Sequence, residues 1–331
     1  MKLKAKITNL STGGPFVVIL NIANANLLNL NPLDRINLKL NDKKATAIVD
    51  IDIESKHIKK GEIGIFHELA KKFNIKTNTE IKINRAIKPN SILYIKDKLD
   101  GKTLTKEQIN EIIKDINENN LTEAEIAYFV SGCYEHELDS NEIVYFTEAI
   151  IKDLERLDLR EKTIADKHCI GGLAGNRTTP IVVPIIAASG ITIPNTSTRS
   201  ITSAAGTTDV LEMLLPISHS KKEIKDILKI TKACLVWDGN LNLHSAENKI
   251  IKIEKPVSLD CEGIMIASIL AKKAALNATH ILIDIPIGEE TKMSSIKKSK
   301  HLKKKFIKLG KKLHMKVKVI ITNGSQPIGN G

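Results

Sequence analysis

The chain has 331 residues, of which 42% are hydrophobic and 27% charged, and its formal net charge is +12. This balance is typical of a soluble globular protein with two or three domains. No stretch approaches the roughly 20 apolar residues of a membrane span, and the first ten residues lack the apolar core of a signal peptide. We therefore expect a cytoplasmic protein without a membrane partner.

The four cysteines lie far apart in the sequence, with neither a CxxC pair nor the spacing of metal ligands. Such spacing favours reduced thiols over disulfides or a zinc site. We predict no metal for Cys133, Cys169, Cys234 and Cys261.

Much of the positive charge lies between Lys297 and Lys318, where Leu302, Phe306, Leu309 and Leu313 recur at helical spacing. This pattern favours an amphipathic surface helix with a solvated lysine face over a nucleic-acid patch. Aromatic residues make up only 3% of the chain and offer few platforms for stacking bases. We expect no nucleic-acid partner.

The N-terminal region, residues 1–87, alternates short runs of period-two hydrophobicity with turns. The runs at residues 3–10, 15–21, 34–40, 45–53 and 80–86 predict strands, and the run at 63–73 predicts a helix. We expect a small β-rich, barrel-like domain here.

Three helical segments follow between residues 100 and 160, and each opens with a capping signature. The pairs are Thr105 with Gln108, Thr122 with Glu125, and Asp139 with Glu142. In such pairs a side-chain oxygen accepts a hydrogen bond from a backbone N–H of the first helical turn, which has no partner within the helix. The region is predicted to be a helical subdomain.

From Lys162 onward, apolar runs at residues 181–190, 281–288 and 316–322 alternate with polar loops and helical stretches. Continuous β-branched runs of this kind predict a largely parallel sheet with covered faces. Ligand-binding loops would then follow the carboxyl ends of its strands.

The first chemically distinctive segment is Asp166 to Thr179, which reads DKHCIGGLAGNRTT. Its glycines would let backbone N–H groups approach an anion, and a following helix would add the partial charge of its N-terminus. The segment is not a Walker A loop, because no GK[ST] ends it. An anion site is favoured over a plain glycine-rich turn.

A second segment, Thr196 to Thr208, has six hydroxyl side chains between Thr196 and Ser203, beside Arg199. Hydroxyl and amide donors around one arginine suit a phosphate. A simple polar turn is equally compatible with this loop alone, and the presence of two such loops strengthens the functional interpretation.

The third segment, Pro256 to Ala275, predicts a helix on which Ser268 and Lys272 share a face. Asp260 precedes this helix, either as its cap or as an acid, and capping is the commoner role for such an aspartate.

In this order, the strings KHCIGG, STRSITSAAGT and ASILAKK resemble the signatures of the thymidine and pyrimidine-nucleoside phosphorylase family. The longer strings GGLAGNRTTPIVVPIIAASG, CLVWDGNLNL and NGSQPIGNG are similar to its archaeal AMP phosphorylase branch. The resemblance runs from ITNLSTGGPFVVILN to the last residue.

The resemblance implies an α/β fold with an N-terminal barrel-like domain (1–87) that mediates homo-oligomerisation and a helical domain (100–160, with 245–277 packed on it). It also implies an α/β phosphate-binding domain (162–244 and 278–331). Relatives continue beyond Gly331, so we expect this domain to be incomplete.

The implied reaction is phosphorolysis of AMP, and possibly of CMP and UMP, to the free base and ribose 1,5-bisphosphate. Inorganic phosphate would be the co-substrate, with no cofactor. The resemblance implies Asp260 as the proton donor to the base, since a departing base develops negative charge. The implied substrate-binding residues are Gly172, Thr198, Arg199, Ser200, Ile201, Thr202, Ser203, Thr207, Ser268 and Lys292.

Two positions depart from the family pattern. Cys169 stands where the family has a serine, which exchanges a good hydroxyl donor for a weak thiol donor. Ile253 stands where thymidine phosphorylases have a base-contacting arginine, which favours the nucleotide branch. Thymidine phosphorolysis and an inactive nucleotide-binding remnant are the alternatives.

Overall fold

A computed structural model gives the fold, and it describes residues 1–171, 173–175, 177–197, 205–237 and 246–329. The chain divides into two compact units. The first unit comprises Met1–Tyr94 and Lys114–Ile126, and the second comprises Ile95–Ile113 and Ala127–Gly331.

The first unit contains a closed six-stranded barrel in the order β1-β5-β2-β4-β3-β6. Its strands are β1 (Lys2–Ile7), β2 (Val17–Asn21), β3 (Arg35–Leu40), β4 (Lys43–Asp52), β5 (Glu62–Ile65) and β6 (Glu80–Arg85), with the short helices α1 (Ile22–Leu27) and α2 (His67–Phe73). Alternate apolar side chains such as Val18, Leu20 and Ile36 point inward and are fully buried. The predicted barrel-like N-terminal region is confirmed.

The helix predicted at residues 63–73 is wrong in its first part. Glu62–Ile65 forms β5, which pairs with β1 and β2 and closes the barrel, and α2 begins only at His67. Ile63 and Ile65 are fully buried on the barrel's inner face, and this tertiary packing outweighs the local helical pattern.

Four helices follow the barrel in the chain: α3 (Ser91–Leu99), α4 (Lys106–Asn117), α5 (Glu123–Glu135) and α6 (Ser140–Asp153). All three predicted capping pairs are confirmed, because in each one the two partners exchange hydrogen bonds between side chain and backbone. In the last pair the N–H of Asp139 donates to Glu142 at 2.8 Å, and the N–H of Glu142 donates to Asp139 at 2.8 Å.

The remaining strands are β7 (Ala165–Cys169), β8 (Ile193–Ser197), β9 (Ala233–Trp237), β10 (His280–Ile287) and β11 (Lys316–Asn323). Every pairing among them is parallel: β11-β10-β7 form one sheet, β8-β9 form another, and an isolated bridge joins Ile164 to Thr192. The predicted parallel sheet is confirmed.

The helices of this region are α7 (Thr178–Ala188), α8 (Thr207–Leu211), α9 (Lys221–Thr231), α10 (Ala246–Glu254), α11 (Glu262–Ala275) and α12 (Ile296–Lys312). The apolar run 181–190, expected to be a strand, lies largely in α7. A continuous apolar run without alternation fits a packed helix as well as a buried strand, and here the run packs against β8 and β9.

Helix α11 joins the helices to the sheet. It packs against α6, and a Cβ on Gly263 would come within 2.9 Å of the Cβ of Leu138. The buried ammonium of Lys273, on the same helix, pairs with the buried carboxylate of Asp166 on β7 at 2.8 Å. The position of α11 is therefore fixed from two sides.

Helix α12 is amphipathic, as predicted: Leu302, Phe306 and Leu309 are buried, and most of its lysines are exposed. It ends at Lys312, before the strand β11. Within the described ranges, none of the helices has both the length and the apolar content that a membrane crossing requires.

Candidate active site

The candidate site lies at the carboxyl ends of the parallel strands, which are Cys169, Ser197, Trp237, Ile287 and Asn323. In open parallel sheets this edge is the usual place for ligands, because strand ends and helix N-termini meet there. All three segments singled out in the sequence contribute residues to loops or helices that begin at this edge or pack beside it.

The first segment contributes a buried cation. Lys167, only 6% exposed, lies on β7, and its ammonium donates to the hydroxyls of Thr178 at 3.2 Å and Thr179 at 2.9 Å. Burial lowers the pKa of Lys167, since it disfavours the charged form. This bridge holds β7 against the first turn of α7, as expected for a loop closed by a helix N-terminus. Gly172 lies outside the described residues.

His168 follows Lys167 and is half-buried. Burial, followed by the charges of Lys273, Lys272, Lys167 and Lys292, lowers the pKa of His168 well below its usual value. The imidazole is therefore neutral at physiological pH. The lysines that act on it create a positive electrostatic field around His168. Such a field favours an anionic ligand.

Cys169 lies at the end of β7. Burial, followed by the nearby carboxylate of Asp284, raises the pKa of the Cys169 thiol to about 11. The thiol hydrogen-bonds to Asp284, whose Oδ1 also accepts from the hydroxyl of Thr322 at 2.7 Å. The sulfur remains protonated and adds no negative charge to the lysine field.

Asp260 and Lys292, 32 residues apart in the chain, meet in the structure. The ammonium of Lys292 donates to Oδ2 of Asp260 at 3.0 Å. The backbone N–H of Lys292 donates to the carbonyl of Gly171 at 3.3 Å. The N-cap of α11 is Cys261, with no side-chain capping bond, so Asp260 is not the cap that its position suggested.

The loop that carries Lys292 is held in place by its own polar groups and by two glycines. Thr291 exchanges hydrogen bonds with Gly288, and the N–H of Gly324 donates to the carbonyl of Ile287 at 2.8 Å. A Cβ on Gly288 would collide with the carbonyl of Gly324. The connections after β10 and β11 thus touch through their backbones.

Ser268 and Lys272 share a face of α11, as predicted, and both contact Glu247 of α10. The Ser268 hydroxyl donates to Oε1 of Glu247, and the Lys272 ammonium lies 2.7 Å from the same oxygen. Glu247 is 3% exposed. The sequence reasoning missed this residue, although it stands three positions before the buried Ile250 on the apolar face of α10.

Glu254, at the end of α10, is a second carboxyl group that the sequence reasoning missed. The pKa of Glu254 is raised to about 7, and burial is the largest cause. A hydrogen bond from the backbone N–H of Cys261 acts to lower this pKa, and the charge of Asp260 acts to raise it. Lys292 and Glu247 also act on it electrostatically. The charges of both carboxylates, Asp260 and Glu247, and of Lys292 therefore act on Glu254.

Most of the second segment, including Thr198, Arg199, Ser200, Ile201, Thr202 and Ser203, lies outside the described residues. Thr207 is the first residue of α8, and the neighbouring Thr208 hydroxyl donates to the carbonyl of Ser197 at 2.8 Å. This bond ties α8 to the carboxyl end of β8.

Of the residues predicted for the site, the structure brings together Asp260, Lys292 and the neighbouring Gly171, and it places Ser268 beside Lys272.

Among the residues that the structure describes, no group of three or more His, Cys, Asp or Glu side chains is arranged to hold a metal ion. The four cysteines are free thiols. The described chemistry of the site is that of ammonium groups, hydroxyls and carboxyls.

The described residues form a set of helices followed in the chain by a parallel α/β region, with lysines near the strand ends. Residues 93–153 match the family model described as glycosyl transferase family, helical bundle domain, and residues 161–276 match glycosyl transferase family, a/b domain. Together these segments cover more than half of the chain. The chain belongs to this glycosyl transferase family.

Similar curated proteins are named AMP phosphorylase. The one from Thermococcus sibiricus is 42% identical over 330 residues, and the one from Pyrococcus horikoshii is 46% identical over 329 residues. The alignments cover 100% and 99% of this chain. The chain spans 65% of the length of each of these relatives.

The fold also resembles a solved structure, the anthranilate phosphoribosyltransferase (TrpD) of Thermus thermophilus. The TM-score is 0.56 at 14% identity, over 72% of this chain and 68% of that one. At this identity the likeness concerns the fold alone.

Proposed function

We propose that the chain catalyses phosphorolysis of AMP to adenine and ribose 1,5-bisphosphate. The observation that carries the proposal is the meeting of Asp260 with Lys292 and Gly171 at the strand ends. Relatives 36–46% identical over nearly the whole chain, all named AMP phosphorylase, support it. The named relatives give no support to thymidine phosphorolysis.

In the proposed reaction a phosphate oxygen forms a bond to C1′ of the ribose while the bond from C1′ to the base nitrogen breaks. The electron pair of the broken bond goes to the base, and Asp260 supplies a proton to it. The lysines around His168 offset the charge of the two phosphate groups. Inorganic phosphate is the co-substrate, and no cofactor is required.

The nucleotide would be held by residues from several loops and helices. The proposed nucleotide-binding residues are Gly172, Thr198, Arg199, Ser200, Ile201, Thr202, Ser203, Thr207, Ser268 and Lys292. The domain ranges expected from the sequence are part of the same proposal. Partners at both ends of the nucleotide would fix the ribose relative to the attacking phosphate, which lowers the entropic part of the barrier.

We predict that Asp260→Asn lowers kcat for AMP by about 100-fold or more while the Kd for AMP changes little, because general acid catalysis typically contributes 10²–10⁴-fold. Release of adenine by the purified 331-residue chain, measured with AMP and inorganic phosphate, checks this.

Glu161→Gln serves as the control, since Glu161 is an exposed residue whose partner is Lys232. Turnover in Asp260→Asn equal to that of the unsubstituted chain would remove the assigned role. Base release from thymidine or uridine but not from AMP would move the chain to the nucleoside branch, and AMP binding without turnover would identify an inactive remnant.

A further inference from the structure

The neighbouring strands β7 and β8 are joined through the backbone only at their amino ends. The N–H of Ala165 donates to the carbonyl of Thr192 at 2.9 Å, next to the isolated bridge between Ile164 and Thr192. Beyond this point, within the described residues, β7 pairs with β10 and β8 pairs with β9. The carboxyl ends of β7 and β8 therefore lack the ladder of backbone hydrogen bonds that fixes the spacing of paired strands.

A buried side-chain bridge takes the place of that ladder. The amide nitrogen of Asn195, on β8, donates to Oδ1 of Asp166 at 2.8 Å and to the carbonyl of Lys167 at 3.1 Å, both on β7. The side chains of Asn195 and Asp166 are buried. Because a carboxylate oxygen and a carbonyl can only accept, each hydrogen of the amide nitrogen has its own acceptor. The bridge thus defines one separation of the two strands.

The same carboxylate is also tied to α11. The Lys273 ammonium lies 2.8 Å from Oδ2 of Asp166, and both side chains are buried. The contact is electrostatic, since Oδ2 accepts no hydrogen bond from a described residue. A buried ion pair is often no more stabilising than well-packed apolar side chains, so stability does not account for this arrangement. The geometry that it fixes is the meeting of β7, β8 and α11 at one carboxylate.

The two bridged strands carry different residues of the proposed site. Lys167 lies on β7. The carbonyl of Ser197, at the end of β8, accepts from the Thr208 hydroxyl at 2.8 Å and so holds the start of α8, where Thr207 lies. The separation of β7 and β8 thus determines the separation of Lys167 and Thr207. A displacement of about 1 Å between groups that hold reacting partners can lower a rate by about 100-fold.

We propose that Asn195 and Asp166 are positioning residues for the proposed phosphorolysis, which set the distance between Lys167 and Thr207 by bridging β7 and β8. The inference rests on the proposed function, because it requires Lys167 and Thr207 to act on the same bound substrates. Asn195 and Asp166 are buried and act through the strands that carry them.

The test uses Asn195→Ala, which removes both donors of the bridge. At saturating AMP and inorganic phosphate, we expect kcat per chain that binds AMP to fall at least tenfold. The Kd for AMP should change by less than about threefold, because the groups proposed to bind it are unaltered. Calorimetric titration counts the binding chains, so a loss of folded protein lowers the stoichiometry, whereas misplaced groups lower kcat per binding chain.

A milder variant and a control accompany this test. Asn195→Ser keeps one hydrogen-bond donor on a shorter side chain and should lose less kcat, which keeps the test decisive if Asn195→Ala does not fold. Leu228→Ala removes buried apolar atoms from α9 of the same unit. It should lower the thermal denaturation midpoint and leave kcat per binding chain unchanged.

An exchange of the two residues tests the bridge itself. Asp166→Asn/Asn195→Asp places the amide on β7 and the carboxylate on β8, so a hydrogen bond can form in the reverse direction. We expect its kcat to be at least threefold higher than that of Asn195→Asp alone, in which two carboxylates face each other.

The outcomes separate the inference from the proposed function. Unchanged kcat per binding chain in Asn195→Ala, or in Asn195→Ser where the former does not fold, would overturn the inference and leave the function intact. An exchange variant no faster than Asn195→Asp would also count against the bridge. If the unsubstituted chain releases no adenine from AMP, the function falls and the inference falls with it.

Discussion

At the scale of single residues, Glu254 makes stability depend on pH. Its pKa in the folded chain is about 7, raised from 4.5 by burial, so the unfolded chain loses this proton at a lower pH than the folded chain does. The folded state therefore loses stability relative to the unfolded state as pH rises from about 4.5 to about 7.

We predict that Glu254→Gln raises the thermal denaturation midpoint at pH 8 and leaves it nearly unchanged at pH 4.5, because the amide cannot ionise in its buried setting. Denaturation curves recorded across this pH range check the prediction. Glu289→Gln, a change at an exposed carboxyl group of the same unit, is the control. An equal gain at both pH values would contradict the explanation.

Residue types and spacing predicted part of the site. Lys167, Ser268 and Asp260 stood out because of their motifs, and the structure gives each of them a polar partner. The pairing of Asp260 with Lys292 depends on how α11 and the loop after β10 are placed, which no spacing along the chain encodes. Glu247 was missed because one acidic residue on a helix has no signature until its neighbours are known.

At the scale of elements, a buried ion pair connects α3 with the start of α6. Lys98 and Glu142 are 2% and 1% exposed, and the ammonium lies 3.1 Å from Oε1 of the carboxylate. The ammonium also donates to the carbonyl of Glu137 at 3.2 Å, and Glu142 accepts from the N–H of Leu104 at 2.9 Å. Every charge in this group is thus offset or hydrogen-bonded.

We predict that Lys98→Met lowers the free energy of unfolding by about 3–5 kcal/mol, because it leaves the carboxylate of Glu142 buried without its cation. The double variant Lys98→Met/Glu142→Gln should recover part of that loss, since it removes the buried charge and its amide oxygen can still accept one of the two backbone N–H groups, those of Leu104 and Asp139. Urea denaturation measures both. A double variant no more stable than Lys98→Met would show that the uncompensated charge is not the cause.

Local signals predicted elements well where one interaction determines the structure. Each capping pair needs only residues three positions apart, so the starts of α4, α5 and α6 could be read from the sequence. The strand β5 and helix α7 could not, because both are apolar runs whose conformation depends on the elements that cover them.

At the scale of the whole molecule, the positive charge is concentrated in one part of the sequence. After Glu290 there are twelve lysines and neither an acidic residue nor an arginine, and this number equals the net charge of +12. Most of these lysines lie on α12 and β11. The other 290 residues carry no net formal charge.

We predict that this asymmetry steers anionic substrates, so that kcat/KM for AMP falls by about tenfold as ionic strength rises from about 20 to 300 mM, since salt screens long-range fields. The triple variant Lys300→Gln/Lys304→Gln/Lys311→Gln changes exposed side chains on α12 and should weaken the salt dependence. Stopped-flow or initial-rate measurements at several salt concentrations check this. A salt dependence that the triple variant leaves unchanged would exclude steering by α12.

The contact of Gly288 with Gly324 has a mechanical consequence for the cation nearby. Because a side chain at Gly288 would strike the carbonyl of Gly324, the loops after β10 and β11 lie in direct main-chain contact. The loop that carries Lys292 thus depends for its packing on a segment that comes later in the sequence, and Lys292 in turn contacts Asp260.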